Sequence, residues 1–274
     1  MMQNGWRYYN HALIPTTAPH EPVRNFEHGF WKNSLGGGIA LFARWTEDFD
    51  CEREMPWWYV IKDTPFDIND LKAKRRYEIR KGQKNFDVRI ISAEDYSEEL
   101  YKITADAYTQ YPEKYRPVVE HNSFIRGLKA WKKYRVYGAF NRENDKLCGY
   151  AWVNIHSSYI DFTCMKVSPE YERYGINAAI VCEILNSFEK QLENGIYICD
   201  GARASIHETN FQDYLEKYFG FRKAYCRLKM KYRFPIGLIV SILYPLRNQL
   251  ENDGKISSKI SNVLFYEKIA RECK

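Results

Sequence analysis

The sequence lacks long apolar runs. A membrane-spanning helix needs roughly 18 consecutive apolar residues, and the nearest stretch, residues 234–246, is shorter and contains Pro235 and Pro245. The first ten residues are polar and aromatic, so they also lack the apolar centre of a secretory signal peptide. These absences predict a cytoplasmic protein. The basic-flanked apolar stretch 234–250 is the candidate for a peripheral contact with the inner face of a membrane.

The sequence also lacks a Cys-x-x-Cys pair, and its seven cysteines are an odd number. Most of them lie in apolar stretches, where cysteine behaves as a small buried hydrophobic residue. We therefore predict a reducing compartment, no disulfide framework and no metal site. Solenoid repeats and low-complexity segments are absent as well, which excludes a repeat array or a disordered linker protein.

What the chain does have is enough apolar residues for a large folded core. Hydrophobic residues make up 45% of its 274 positions and aromatic residues 16%, which is too apolar for a disordered chain. The formal net charge is +6. This mild excess suits an anionic ligand, a nucleotide or an anionic membrane surface, and it does not distinguish among them.

Short runs of β-branched and aromatic residues predict the strands. Polar links between three consecutive strands, 135–140, 147–155 and 159–167, are short, which favours antiparallel neighbours. Residues 1–38 are rich in proline and glycine and are predicted as loops. The other predicted strands are 39–45, 57–62, 86–91, 195–199 and 221–232.

Apolar residues at helical spacing predict the helices. Asp67 is a candidate N-terminal cap of the first helix. Pro169 is expected near the start of the fourth helix, and Gly220 is a candidate C-terminal cap of the fifth. The element order is that of an α/β (α+β) domain. The predicted helices are 67–84, 95–110, 122–133, 170–192, 209–218 and 255–270, with the apolar tail 234–250 between the last two.

Residues 159–179, with the sequence YIDFTCMKVSPEYERYGINAA, resemble the central motif of the GNAT (acetyl-CoA-dependent N-acetyltransferase) superfamily. There a strand leads through a turn with the pattern (Gln/Arg)-x-x-Gly-x-(Gly/Ala) into a helix, and free amides at the helix N-terminus hold the coenzyme A diphosphate. This sequence departs from the pattern with Glu172 and Asn177. The resemblance implies donor contacts from a set of residues at the strand end, in the turn and before the last helix: Met165, Val167, Arg173, Tyr174, Gly175, Ile176, Asn177, Ala178 and Asn210.

Two further segments resemble the FemAB-like acyltransferases, which carry tandem GNAT-like halves. Residues 71–88, LKAKRRYEIRKGQKNFDV, are similar to their basic helix, and residues 207–223, HETNFQDYLEKYFGFRK, are similar to the final GNAT helix and strand. The resemblance implies a GNAT-like mixed sheet flanked by helices. The predicted domains are a partial N-terminal GNAT-like half with the basic helix (1–91), an acyltransferase domain (92–233) and a helical tail (234–274).

Three residues are candidates for catalysis. Tyr214 and Tyr218 precede the Gly220 turn, where the resemblance implies a tyrosine that protonates the leaving thiolate; the alternative for each is a ring packed on the core. His207 is a candidate base near pH 7, and the alternative is an exposed residue before a capped helix. The basic helix 72–84 is a candidate anion surface, with a solvated helix face as the alternative.

The resemblance therefore implies transfer of an acetyl or other acyl group from acetyl-CoA to an amine of a small or cell-envelope-precursor acceptor. A second hypothesis is a FemAB-like transferase that uses an aminoacyl-tRNA, which the basic helix and the departures at Glu172 and Asn177 favour. A third is a GNAT-shaped module without catalysis that binds a partner or a membrane. The sequence leaves these alternatives open.

Overall fold

A computed structural model describes residues 5–23, 26, 30–31, 38–113, 116–203, 210–252 and 258–273. Within it the chain forms two compact units. Unit 1 comprises Met1–Val60, Ala202–Asn210 and Lys223–Lys274, and unit 2 comprises Ile61–Gly201 and Phe211–Arg222. The domain boundaries expected from the family resemblance stay a prediction.

The described residues form ten strands. They are β1 (Trp6–Tyr9), β2 (Ala12–Pro15), β3 (Phe42–Glu47), β4 (Trp57–Lys62), β5 (Phe86–Ile91), β6 (Arg135–Asn141), β7 (Leu147–Ile155), β8 (Tyr159–Val167), β9 (Tyr197–Ala202) and β10 (Arg222–Tyr232).

The same residues form nine α-helices, joined by short 3₁₀ turns. They are α1 (Ala73–Asn85), α2 (Ser97–Tyr108), α3 (His121–Leu128), α4 (Ile176–Ser187), α5 (Glu189–Glu193), α6 (Asn210–Phe219), α7 (Ile236–Leu243), α8 (Arg247–Asn252) and α9 (Ser258–Glu272). No helix within the described residues is both long and apolar enough to cross a membrane.

Unit 2 contains five strands in the order β9-β8-β7-β6-β5. The pairs from β8 to β5 are antiparallel and the β8–β9 pair is parallel, which confirms the predicted antiparallel trio. One face of the sheet packs with α2 and α3 around Leu100, Leu128 and Tyr150. Helix α4 contacts β5, β6 and β7, and most of its residues are buried, as expected for a helix that covers a sheet.

Unit 1 contains β1, β2, β3 and β10, with β2 and β3 parallel and the other neighbours antiparallel. Phe42 of β3 and Val240 of α7 belong to its core, together with Leu264 of α9. The apolar tail of the sequence is therefore partly built into this unit, because the inner faces of α7 and α9 pack with β2 and β3.

The prediction of loops for residues 1–38 is wrong at β1 and β2. These two strands of four residues each form a hairpin. Its two-residue turn, Asn10 and His11, has positive φ at both positions (46° and 64°), as the favoured hairpin turn requires. Because the turn contains no glycine and the strands are short, the sequence pattern did not indicate the hairpin.

The predicted helix 170–192 is interrupted in the structure. Pro169 opens a 3₁₀ helix that ends at Tyr174, and Gly175 then adopts a left-handed conformation with φ of 86°. Helix α4 starts only at Ile176, and Phe188 separates it from α5. A residue with a Cβ is strained at positive φ, so the glycine permits the break between the two helical segments.

Candidate active site

Strands β8 and β9 separate after a short region of pairing. Their parallel register comprises Tyr159–Tyr197, Ile160–Ile198 and Asp161–Cys199. Beyond Asp161, β8 continues to Val167 while β9 continues to Ala202, and no further pair joins the two strands in the described residues. A gap therefore opens between them in unit 2, with one edge of β8 facing it.

The backbone groups that face this gap follow from the pairing with β7. Ser168 N–H donates to the Cys148 carbonyl (2.9 Å), and antiparallel residues alternate between pairs that exchange hydrogen bonds and pairs that do not. Lys166 is therefore bonded to β7, whereas the N–H and C=O groups of Met165 and Val167 point away from β7. Met165 and Val167 are two of the predicted donor contacts, and this role stays a prediction.

A β-bulge in β8 marks the point of separation. Trp152 lies opposite Cys164, whereas the next residue, Val153, lies opposite Phe162, so Thr163 is an extra residue in β8. A bulge bends its strand and increases the local twist. Because the bulge lies directly after the last β8–β9 pair, it accounts for the divergence of the two strands.

The turn that follows β8 leads into the N-terminus of α4. Gly175 immediately precedes the helix. The first amides of a helix, here those of Ile176, Asn177 and Ala178, have no carbonyl one turn earlier within the helix, and the helix dipole is positive at this end. Ile176, Asn177 and Ala178 thus form the first turn of α4, and their role as donor contacts stays a prediction.

Helix α1 covers one side of this turn, which the sequence did not predict. A Cβ added at Gly175 would lie 2.9 Å from the backbone nitrogen of Gly82. Asn85 Nδ2 donates to the Tyr174 carbonyl (3.1 Å), and Gln83 Nε2 contacts Cys182 Sγ (3.3 Å). The backbones of α1 and of the turn therefore pack directly against each other, with two glycines at the closest point.

The side chains of the turn are a poor match for a diphosphate. Glu170 and Glu172 place carboxylates there. Among the described residues Glu170 forms an ion pair, with its Oε1 3.8 Å from Lys146 Nζ, and Glu172 forms none. Arg173 donates from Nη2 to the Tyr174 hydroxyl (2.8 Å). Carboxylates repel a phosphate group by Coulomb interaction, so the phosphate-bearing end of a donor would bind more favourably away from these two side chains.

The cations of helix α1 and its cap provide such a surface. Arg75 donates to the Lys217 carbonyl and Arg76 to the Leu71 carbonyl (2.7 Å). The remaining cations form no ion pair with any described residue, so their charge is available to an anionic ligand. They are Lys72, Lys74, Arg80, Lys81 and Lys84.

Asp200 is a titratable residue that the sequence analysis did not select. It is the first residue of β9 beyond the pairing with β8. Burial raises the pKa of its carboxyl to about 7, with Asp161 raising it further and a hydrogen bond from Gln212 opposing the shift. A carboxyl with this pKa is poised to exchange protons near neutral pH. The sequence shows only that a carboxylate follows an apolar strand. Burial, which the sequence does not reveal, distinguishes Asp200 from a solvent-exposed aspartate.

The two candidate tyrosines have different surroundings. Tyr214 is half-buried, and burial is the main reason that its pKa lies above the usual value, with Tyr218 and Glu78 adding to the shift. The ring of Tyr218 lies 4.4 Å from the Arg75 guanidinium carbon. Tyr214 therefore stays protonated at neutral pH, and Tyr218 has a packing role with Arg75; the catalytic roles of both remain predictions.

His207 and Asn210 are the remaining predicted site residues. His207 falls outside the described residues. Asn210 is exposed at the first position of α6, and its role as a donor contact stays a prediction.

A cleft of about 360 Å³ lies beside the start of the turn, on the α2 side of the sheet. Its walls include Glu99 and Asp106 of α2 and Glu170 of the turn, against Lys102 and Lys146. Three carboxylates against two ammonium groups favour a ligand that carries a positive charge. An amine is such a ligand.

Neither a protein-family model nor a curated protein sequence matches this chain. Solved structures do match. The C-terminal domain (DUF2156) of a protein assigned as a lysylphosphatidylglycerol synthetase from Agrobacterium fabrum is 12% identical, with a TM-score of 0.50 over 87% of this chain and 84% of that one. L-PGS from Bacillus licheniformis is 12% identical, with a TM-score of 0.46 over 85% and 69%.

GNAT proteins are also among the similar structures. A tandem GNAT protein from the clavulanic acid biosynthesis pathway is 10% identical, with a TM-score of 0.39 over 71% of this chain and 65% of that one. At these identities the comparisons concern the fold alone. The chain has a mixed α/β fold, as the sequence predicted.

Proposed function

We propose that the chain is an acyltransferase that lays an acyl donor along the open edge of β8 and transfers its acyl group to an amine. The observation that carries this proposal is the separation of β8 from β9, which leaves the backbone groups of Met165 and Val167 facing a gap. An extended ligand with amide groups can pair with such an edge as an added strand does. The pantetheine arm of coenzyme A is an extended chain of this kind, so an acyl-CoA thioester, with acetyl-CoA first, is the leading donor.

The chemistry needs one base and one acid. The lone pair of the acceptor amine attacks the thioester carbonyl carbon, a C–N bond forms and the C–S bond breaks. Asp200 takes the proton that the amine loses, which suits a carboxyl with a pKa of about 7. We assign protonation of the departing thiolate to Tyr214, which is protonated at neutral pH; burial raises its pKa and makes it a weaker acid than an ordinary tyrosine. The amine acceptor is of the small-molecule or envelope-precursor class.

The phosphate-bearing end of the donor is assigned to helix α1. The carboxylates of Glu170 and Glu172 oppose a diphosphate at the turn, whereas the exposed cations of α1, including Arg80 and Lys84, attract one. The packing of Gly82 on Gly175 holds α1 beside the turn. Arg80 and Lys84 each lie two residues from Gly82 and so lie on the exposed side of α1, to which we assign the phosphate-bearing end of the donor.

A second candidate donor is an aminoacyl-tRNA. The cluster of unpaired cations on α1 suits a polyanionic backbone. The chain is also similar, at a TM-score of 0.50, to a domain named for the synthesis of lysylphosphatidylglycerol. That product joins an aminoacyl group to a phospholipid. Acyl transfer is common to both candidates, and they differ in the carrier of the acyl group.

Titration calorimetry with acetyl-CoA and with a charged tRNA distinguishes the two donors. We expect saturable binding of acetyl-CoA, weakened on the order of tenfold by the double substitution Arg80→Gln and Lys84→Gln, because charge-assisted contacts are lost. The control is Lys129→Gln with Lys190→Gln, two exposed lysines on other elements. Release of coenzyme A thiol with a panel of primary amines then measures transfer.

The two candidate donors predict different outcomes of this titration. Salt-dependent tRNA binding without acetyl-CoA binding selects the second candidate. Absence of binding to both donors, at low salt and with the protein shown to be folded, removes the acyltransferase proposal.

A further inference from the structure

Helix α7 is apolar on both of its faces. Its inner face contributes Ile236, Val240 and Leu243 to the core of unit 1, where they pack with residues of β2, β3 and α9. A helix that borders one core needs only one apolar face and normally presents polar residues on the other. The apolar residues on the outer face of α7 are therefore not explained by the folding of this unit.

The outer face forms a continuous exposed stripe with the residues at its ends. Leu238 is 59% exposed and Ile242 is 68% exposed, and they lie one helical turn apart. Phe234, just before the helix, is 82% exposed; Ile239 and Leu246 are each 45% exposed. Single exposed apolar residues are ordinary, but a contiguous group of this kind marks an interaction surface. We call these five residues the α7 stripe.

The charges within the segment that carries the α7 stripe have one sign. No Asp or Glu occurs between Glu216 and Glu251. Arg233 and Arg247 flank the stripe, and neither forms an ion pair with a described residue. Arg247 instead contacts Tyr244, with its guanidinium carbon 4.3 Å from the ring centre. The stripe thus has cations at both ends and no carboxylate within its own segment.

We propose that the α7 stripe docks on an anionic phospholipid bilayer, with its apolar side chains in the interface and Arg233 and Arg247 at the level of the headgroups. An apolar helix face flanked by basic residues has the chemistry of an interfacial membrane helix. A second copy of the chain is a poorer occupant, because a two-fold interface brings the same cations together without a carboxylate to neutralise them. This inference does not depend on the proposed acyl transfer.

Vesicle flotation of the full chain tests the proposal. We expect the protein to float with vesicles of phosphatidylcholine and phosphatidylglycerol, and much less with phosphatidylcholine alone. The substitutions Leu238→Gln and Ile242→Gln together are expected to lower the partition coefficient at least tenfold, on the order of the transfer free energy of two apolar side chains. Arg233→Gln with Arg247→Gln is expected to weaken binding at low salt and to remove most of its salt dependence.

A matched control substitutes exposed apolar residues elsewhere. Val118 is 96% exposed and Ile155 is 45% exposed, so Val118→Gln with Ile155→Gln changes the same chemistry outside the stripe and is expected to leave flotation unchanged. Thermal unfolding verifies that each variant is folded. Equal flotation of wild type and the Leu238/Ile242 variant overturns the proposal. A wild-type dimer in light scattering that this variant dissociates, without flotation, assigns the stripe to a second copy and also overturns it.

Discussion

Asp200→Asn is expected to lower kcat/KM for acyl transfer on the order of 10²- to 10⁴-fold, the usual contribution of a general base. The amide is nearly isosteric with the carboxyl but cannot accept a proton from the acceptor amine. Since Asp200 lies on β9 and not on the β8 edge, the affinity for acetyl-CoA is expected to change little. The measurement is steady-state release of coenzyme A thiol, combined with calorimetric affinity for the donor.

The pH dependence of kcat/KM tests whether Asp200 is the base. A base with a pKa of about 7 is active only when ionised, so kcat/KM of the wild type should rise with pH and level off above neutrality. Asp161→Asn removes a negative charge that raises the pKa of Asp200, and the rise should move to lower pH. Asp213→Asn, an exposed carboxylate on α6, is the control and should leave the profile in place.

The pH dependence of the protein's stability is an independent test of the raised pKa of Asp200. Burial raises the pKa of folded Asp200 above its ordinary value of 3.8, so its contribution to stability is fully present at low pH and is lost as the pH rises through about 7. Relative to wild type, Asp200→Asn should therefore gain stability with increasing pH while it loses activity. If this variant keeps wild-type kcat/KM and the Asp161 variant keeps the wild-type pH profile, Asp200 is not the base.

Gly82→Ala is expected to destabilise the fold by about 1–3 kcal/mol, the usual cost of overpacking. The added methyl group would collide with the carbonyl oxygen of Gly175. The backbone fixes the positions of both atoms, so neither can rotate away. This cost outweighs the gain of about 1 kcal/mol that alanine brings over glycine in a helix. Urea unfolding, followed by circular dichroism, measures the free energy of unfolding.

Gly127→Ala is the matched control for this substitution. Gly127 also lies within a helix, α3, and a Cβ added there has no atom within 4 Å. The same change is therefore expected to stabilise the protein by about 0.5–1 kcal/mol through helix propensity. Equal effects of the two substitutions would contradict the direct packing of α1 on the turn before α4.

The sheet of unit 2 was predictable because its signals are local. The bounds of β7 and β8 match the predicted strands 147–155 and 159–167, since both are rich in β-branched and aromatic residues and are joined by a short polar link. The turn after β8 was placed correctly, but α4 starts later than predicted. Pro169 fits a 3₁₀ helix as well as the first turn of an α-helix, and only the conformation of Gly175 decides between them.

The parts that depend on distant residues were not predictable. Gly82 stands among strong helix formers in α1, a signal of close packing, yet its partner Gly175 is far away in the sequence. Likewise, the pKa of Asp200 depends on burial and on Asp161 and Gln212. No local pattern reports either arrangement, because both arise from elements that meet only in the folded chain.

Amide hydrogen exchange of β8 tests the central claim that the donor lies along its open edge. With saturating acetyl-CoA, the amides of Met165 and Val167 should exchange more slowly, while Lys166, whose amide faces β7, should change little. Bound acetyl-CoA that leaves the exchange of Met165 and Val167 unaltered would show that the donor binds elsewhere.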